Sequence, residues 1–248
     1  MAAEATPPCL ELKGISFGFH GRPLLEDITL TVGHQEIVSF IGPNGVGKTT
    51  LFNIICGLAA PLKGSVIYRG VDITGREPHT ICRMGIARTF QIPRPFPQMT
   101  VLENVLVGIW FGAEEAGKPD GERQEALRLL DLVGLRHKAE ERGRELTLSE
   151  LRRLEVARAL ATKPRLLLLD EVAAGLSPQA IREAVELIKS LRDGGLTLLI
   201  IDHFLTLTCQ VSDRLVALCE RKMTAVGKPA EVLNSPEVMR AYLGRGDA

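Results

Sequence analysis

The sequence carries no excess of either charge, no paired cysteine motif and no apolar run of membrane-spanning length, and each absence excludes something. Its 248 residues hold 30 Lys+Arg against 30 Asp+Glu, a formal net charge of zero. That balance argues against a chain that holds nucleic acid by bulk electrostatics. The five cysteines, Cys9, Cys56, Cys82, Cys209 and Cys219, are scattered, odd in number and never spaced as CxxC. This pattern predicts a reducing compartment, with neither a disulfide framework nor a zinc site. The longest apolar stretches, Leu166–Leu169 and Leu196–Ile201, fall far short of the ~20 residues of a membrane span. Both read as buried strands. The opening MAAEATPPCLELKG has no basic start leading into an apolar core, so no signal peptide is expected. Membrane association then has to come through a partner.

What is present is an ordinary globular composition, 45% hydrophobic and 24% charged. At about 150 residues per domain the length suits one large or two small domains. The chain opens on strand-like segments at Leu10–Phe19, Leu24–Val32 and Glu36–Ile41, the first two divided by the turn-rich His20-Gly21-Arg22-Pro23. A helix is expected over Lys48–Leu58 and a strand over Ser65–Tyr68. From about Pro93 to Glu150 the pattern is helical. Thr100–Phe111 opens on a capping box between Thr100 and Glu103, and Arg123–Val133 follows after the loop Gly117-Lys118-Pro119-Asp120-Gly121. Trp110 and Phe111 read as core of this helical stretch. Strand–helix alternation returns with Leu151–Ala161, Leu166–Asp170, Pro178–Arg192, Thr197–Asp202 and Arg214–Cys219. The order predicts an α/β core with a strand-rich start and a helical insert.

The strongest motif is Gly42-Pro43-Asn44-Gly45-Val46-Gly47-Lys48-Thr49, which fits GxxxxGK[ST] between an apolar run and a helix. Glycines let successive amides turn inward onto phosphate oxygens. The helix N-terminus adds partial positive charge. Lys48 would reach the β/γ-phosphates and the Thr49 hydroxyl a Mg²⁺ ion. Such a loop requires an acid at the end of a second buried strand, and Leu166–Leu169 ends in Asp170-Glu171. Asp170 suits the metal. Glu171, one residue on, would polarise the attacking water. Thr197–Ile201 ends in Asp202-His203, where a histidine could reach the γ-phosphate, although a histidine at a strand end is more often structural. Arg152, Arg153 and Arg158 read as a solvated or ion-paired helix face. Arg88, Arg94 and the prolines Pro93, Pro95 and Pro97 read either as a rigid surface loop or as a contact for a membrane partner's helix.

Taken together, these motifs and their order resemble the ATP-binding subunit of an ABC transporter over nearly the whole chain. Within that family the sequence is similar to importers of branched-chain amino acids. Gly85-Ile86-Ala87-Arg88-Thr89-Phe90-Gln91 running into Pro95-Phe96-Pro97 carries this likeness, with Thr100–Val105, Arg153–Leu160 and the tail Ala241-Tyr242-Leu243-Gly244. The resemblance implies a P-loop NTPase (RecA-like) core with an antiparallel β-subdomain and an inserted α-helical subdomain. Residues 1–248 would form a single ABC ATPase domain, the helical subdomain lying at about 93–153.

The same resemblance implies roles. Phe19 would stack on adenine, the loop Gly42–Thr50 would hold ATP, and Gln91 would touch Mg²⁺ and water. Asp170 would be the metal aspartate, Glu171 the catalytic glutamate and His203 the switch histidine. A second ATPase subunit would supply the signature segment to the γ-phosphate. That segment is Leu146-Thr147-Leu148-Ser149-Glu150 here, where the family usually has Leu-Ser-Gly-Gly-Gln. Thr147 keeps the hydroxyl, Leu148 and Ser149 replace glycines, and Glu150 brings an acid toward an anionic ligand. Val172 stands where proline is common and Ser177 where aspartate is frequent. The implied partners are transmembrane permease subunits and, indirectly, a solute-binding protein, with the chain peripheral at the cytoplasmic face. Two other readings are an ABC ATPase that serves no transporter and an ATP-binding module with weak hydrolysis.

Overall fold

A computed structural model describes residues 7–112, 121–173 and 177–243. Met1–Thr6, most of the expected loop at 117–121 and Gly244 of the tail lie outside them. Two sheets face one another. The antiparallel one contains β1 (Leu10–Phe19), β2 (Arg22–Val32), β4 (Lys63–Tyr68) and the short β5 (Val71–Asp72), in the order β2-β1-β4-β5. The other runs β10-β9-β3-β8-β7-β6, from β3 (Ile37–Ile41), β6 (Ile86–Arg88), β7 (Leu166–Asp170), β8 (Thr197–Ile201), β9 (Arg214–Cys219) and β10 (Lys222–Gly227). Its strands are parallel except β10, which closes one edge antiparallel to β9. Every residue of β3, β7 and β8 is buried. These strands are covered on both faces, which is why they read as largely apolar runs, with Ser39 and Thr197 as buried polar exceptions.

Side chains of a strand alternate between faces, and the two halves of the core divide accordingly. Leu166 and Leu168 of β7, with Leu199 and Ile201 of β8, pack toward the antiparallel sheet and α1 (Lys48–Ile55). There Phe40 meets Phe52 edge to face at 6.0 Å. Leu167, Leu169, Leu198 and Ile200 point the other way, toward α6 (Pro178–Asp193) and the helices between β6 and β7. Those are α3 (Val101–Phe111), α4 (Glu122–Leu132) and α5 (Leu148–Ala161). The remaining helices are short: α2 (Pro78–Arg83), α7 (Leu205–Val211), α8 (Pro229–Leu233) and α9 (Pro236–Leu243).

The Thr100–Glu103 capping box forms with both arms, Glu103 N donating to Thr100 Oγ1 (3.1 Å) and Thr100 N to Glu103 Oε2 (2.7 Å). Trp110 and Phe111 correct the sequence reading, being 41% and 68% exposed. They fall on the outer side of α3, and the Trp110 indole donates to Glu122 Oε2 at 2.6 Å. The helix after the phosphate loop stops at Ile55, so Cys56 is its C-cap. Cys56 is buried and burial pushes its thiol up to about 12, which leaves it protonated and inert. All five cysteines are free thiols. No helix among the described residues is long and apolar enough to cross a membrane.

Candidate active site

The sheet order decides where the chemistry gathers. β3, β8 and β7 are neighbours, and their registers pair Phe40 with Ile201 and Ile201 with Asp170. Their carboxyl ends are therefore level, the usual place for a ligand in an open α/β sheet. The phosphate loop leaves β3, Asp170-Glu171 leaves β7, and Asp202-His203 leaves β8. A cavity of about 500 Å³ opens over these ends. Asn44, Gly45, Gly47, Lys48, Thr49, Thr50, Gln91, Glu171 and His203 line it, as do Leu24 and Ile201, which the motifs did not single out.

Two loop positions require glycine. Gly42 has φ +145°, and a Cβ there would stand 2.1 Å from the Leu218 carbonyl oxygen. Gly47, at φ +107°, is the N-cap of α1 and would push a Cβ to 2.7 Å from Leu25 Cδ2. Lys48 is buried, and its ammonium donates to the carbonyls of Gly42 (2.7 Å) and Pro43 (2.9 Å). Burial holds its pKa below the ordinary lysine value, with Glu171 and Asp170 pulling it back up. Val46 packs against the core under the loop.

Across the cavity Glu171 is gripped from two sides. Gln91 Nε2 donates to Glu171 Oε2 at 2.9 Å, and His203 Nε2 lies 3.2 Å from Glu171 Oε1. The structure thus brings the three predicted catalytic side chains together. Glu171 has φ +54°, a conformation uncommon outside glycine, and its amide donates to the Ile201 carbonyl at 2.8 Å. Asp202 supports the arrangement from below. It is buried, and it accepts from Ala173 N and Phe204 N, each at 2.9 Å, so one carboxylate ties the turn after Glu171 to the turn after His203. Burial raises its pKa, opposed by those same bonds.

Asp170 does not line the cavity. Its side chain is fully buried at the end of β7, with Oδ2 receiving Arg88 Nη2 at 2.8 Å. Burial raises its pKa, opposed chiefly by Arg88. Its Oδ1 is buried without a partner. An orphaned carboxylate oxygen, with the Thr49 hydroxyl on the cavity wall, fits the modest protein donor set that Mg²⁺ takes beside phosphate oxygens and water. Arg88 corrects the surface-loop reading. Its side chain is only 5% exposed, Nη1 reaches Asn53 Oδ1 at 2.5 Å, and the guanidinium faces the Phe52 and Phe90 rings.

Other expected ligand residues stand apart. Phe19 is exposed, its ring edge-on to Phe17 at 5.0 Å. Thr147 is the N-cap of α5, in a capping box with Glu150. Ser149 borders a separate cavity of about 410 Å³ between α5 and α6. The helix face after it is only partly as expected: Arg158 bonds to the Arg94 carbonyl, and the Nε atoms of Arg152 and Arg153 are buried without partners. Ser177 caps α6, its hydroxyl accepting from Ala180 N at 3.2 Å.

A phosphate loop, a paired carboxylate strand end and a helical insert on one α/β sheet define an ATP-binding cassette. The sequence profile of the family described as ABC transporter matches residues 25–174, and that described as branched-chain amino acid ATP-binding cassette transporter matches residues 225–248. The chain belongs to the ABC transporter family of ATP-hydrolysing, ATP-binding subunits. It is similar to the high-affinity branched-chain amino acid transport ATP-binding protein LivG of Escherichia coli, with 38% identity covering 96% of this chain and 98% of that protein. Among solved structures it is similar to an ABC transporter cassette in its ADP conformation (TM-score 0.86, 30% identity, 97% and 100% covered). It is also similar to a dimeric cassette in a post-hydrolysis state with ADP and Pi (TM-score 0.79, 25% identity, 89% and 98% covered). An ABC ATPase that serves no transporter is not favoured by these likenesses.

Proposed function

We propose that this chain energises uptake of branched-chain or related hydrophobic amino acids, working as a peripheral subunit at the cytoplasmic face of the membrane. The observation that carries the catalytic part is Glu171 held between Gln91 and His203 at the mouth of the phosphate loop. In this reading ATP displaces the Gly42 and Pro43 carbonyls from Lys48, whose ammonium then meets the β/γ-phosphates. Loop amides from Asn44 to Thr50, with that of Gly42, hold the remaining oxygens and Phe19 covers the adenine. Mg²⁺, held by Thr49, Asp170 and Gln91, would neutralise phosphate charge. Glu171 orients and polarises the water, and His203 contacts the γ-phosphate.

Thr147, Ser149 and Glu150 do not line this chain's own phosphate cavity, which supports a site completed by the signature of a second ATPase subunit. Glu150 is paired with Lys138 at 2.9 Å, so its charge is offset before a triphosphate arrives. The single domain 1–248 would then work by rotation of a helical subdomain at about 93–153. A groove of about 330 Å³ between that insert and the core has Leu58 and Phe90 on its rim, 50% and 37% exposed. We assign it to a permease helix. A solute-binding protein would act through the permease, and the reading assigns no role to nucleic acid.

The test is ATP-driven uptake by the assembled transporter in liposomes. Leucine, isoleucine or valine should accumulate only with ATP inside and the solute-binding protein outside. Hydrolysis without uptake of any aliphatic amino acid overturns the substrate assignment.

A further inference from the structure

The segment joining β6 to α3 carries Gln91, and its fastenings lie on the insert. Glu155, midway along α5 and 6% exposed, accepts from two backbone amides of that segment. Phe90 N donates to Oε2 at 3.0 Å and Arg94 N to Oε1 at 2.7 Å. The two amides bracket Gln91. Arg158, on the same face of α5, donates from Nη1 to the Arg94 carbonyl at 2.7 Å and lies 5.0 Å from the Phe96 ring centroid. Asn104 of α3 then secures Phe96, accepting from its N–H at 2.8 Å and donating to its carbonyl at 3.1 Å. Toward the core the last backbone bond is Thr89 N to the Leu168 carbonyl at 2.9 Å. The change of allegiance from core to insert falls between Thr89 and Phe90.

We infer that Glu155 is a positioning residue for hydrolysis, locking the Gln91 segment to α5 so that Gln91 moves against Glu171 with the insert. The physical argument is one of relative strength. A buried carboxylate with two backbone donors makes charge-assisted bonds, and losing them would leave it only the Arg158 guanidinium, whose Nη1 lies 3.5 Å from Oε1. The Gln91–Glu171 contact is a single bond between exposed or half-buried side chains at 2.9 Å. When α5 turns relative to the sheet, the contact at Glu171 yields first. The signature at the start of α5 and the glutamine facing the base are thereby joined in one rigid piece. The inference rests on the roles proposed for Gln91 and Glu171.

Glu155→Gln, in the assembled transporter, keeps the side-chain volume but turns an amide NH₂ toward one backbone N–H. The turnover kcat should fall about tenfold or more while KM for MgATP stays within about twofold, the pattern of a lost transition-state arrangement. The Phe90 and Arg94 amides should exchange with deuterium faster, with α5 amides unchanged. Full kcat with both amides freed overturns the inference, as does a raised KM with kcat retained. If this variant does not fold, the wild-type complex decides: through the ATP cycle the two amides must exchange in step with α5, and open-loop exchange rates overturn the proposal. Glu171→Gln in the same complex is the control. Retained turnover there refutes the roles of Glu171 and Gln91, whereas lost turnover beside an active Glu155→Gln refutes the clamp alone.

Discussion

Arg88 sits where a charge is costly, buried at the end of β6 with the Asp170 carboxylate beside it. The pair is almost wholly buried, 5% and 0% exposed, with guanidinium and carboxylate 2.8 Å apart. The rings of Phe52 and Phe90, 5.6 and 5.2 Å from the guanidinium, add the attraction of aromatic faces for a cation. Breaking a buried pair from one side leaves a lone charge, at a typical cost of about 3–5 kcal/mol. Arg88→Met should therefore lower unfolding free energy by about 3 kcal/mol in denaturant titrations, and adding Asp170→Asn should restore most of it. A loss below about 0.5 kcal/mol in the single variant would show that the pair does not hold Asp170. Asp170 itself was legible as the acid that follows four leucines. Its partner was not, because a lone arginine near prolines looks like any surface arginine until the register of β6 on β7 sets Arg88 opposite Leu168.

At the scale of elements, α5 shows one short sequence serving two purposes. Thr147 and Glu150, read as signature positions, close a capping box. Thr147 N donates to Glu150 Oε2 at 2.8 Å and Glu150 N to Thr147 Oγ1 at 3.4 Å. The helix consequently begins at Leu148 rather than at the expected Leu151. The S/T-x-x-E signal was present but was absorbed into the functional reading. Thr147→Ala should cost about 1 kcal/mol by loss of the cap. The Thr147 amide, chiefly, and Lys138 hold the Glu150 carboxyl down at about 2, against an ordinary 4.5. An acid with a depressed folded pKa adds stability that is fully present above its unfolded value and fades as pH falls toward its folded one. Thermal melts of Glu150→Gln should thus lie below the wild type at pH 7 and converge on it between pH 4.5 and 2. A gap that stays constant across that range would remove the carboxylate from the cap. β1 and β2 were legible because their burial alternates, α6 because its apolar face follows the helical period, and α3 because its capping box marks its start. The two-residue β5 and the five-residue α8 were not, since elements so short are set by what they pack against.

The whole chain combines zero net charge and a groove of mixed apolar and charged lining at the seam of core and insert with a phosphate-loop cavity that its own signature does not reach. In the proposed function that geometry makes association part of the chemistry. ATP favours a closed dimer only by the difference between its affinities for the closed and open forms. In the proposed dimer, hydrolysis would remove the phosphate contacted from both sides and with it that difference. Two variants separate binding from release. Glu171→Gln keeps the loop and loses the proposed base, so turnover should fall about 10²-fold or more while ATP still binds. With MgATP it should elute at twice the 27.0 kDa of one chain. Lys48→Ala loses the ammonium proposed to meet the phosphates and should bind ATP at least about tenfold more weakly, remaining a monomer. Undiminished turnover in Glu171→Gln would take the base role away from it, and unchanged ATP affinity in Lys48→Ala would count against the loop. A Glu171→Gln chain that binds ATP without turnover and stays monomeric would mean that the second signature comes from a different ATPase subunit. Mixing in that subunit should then restore the ATP-dependent dimer.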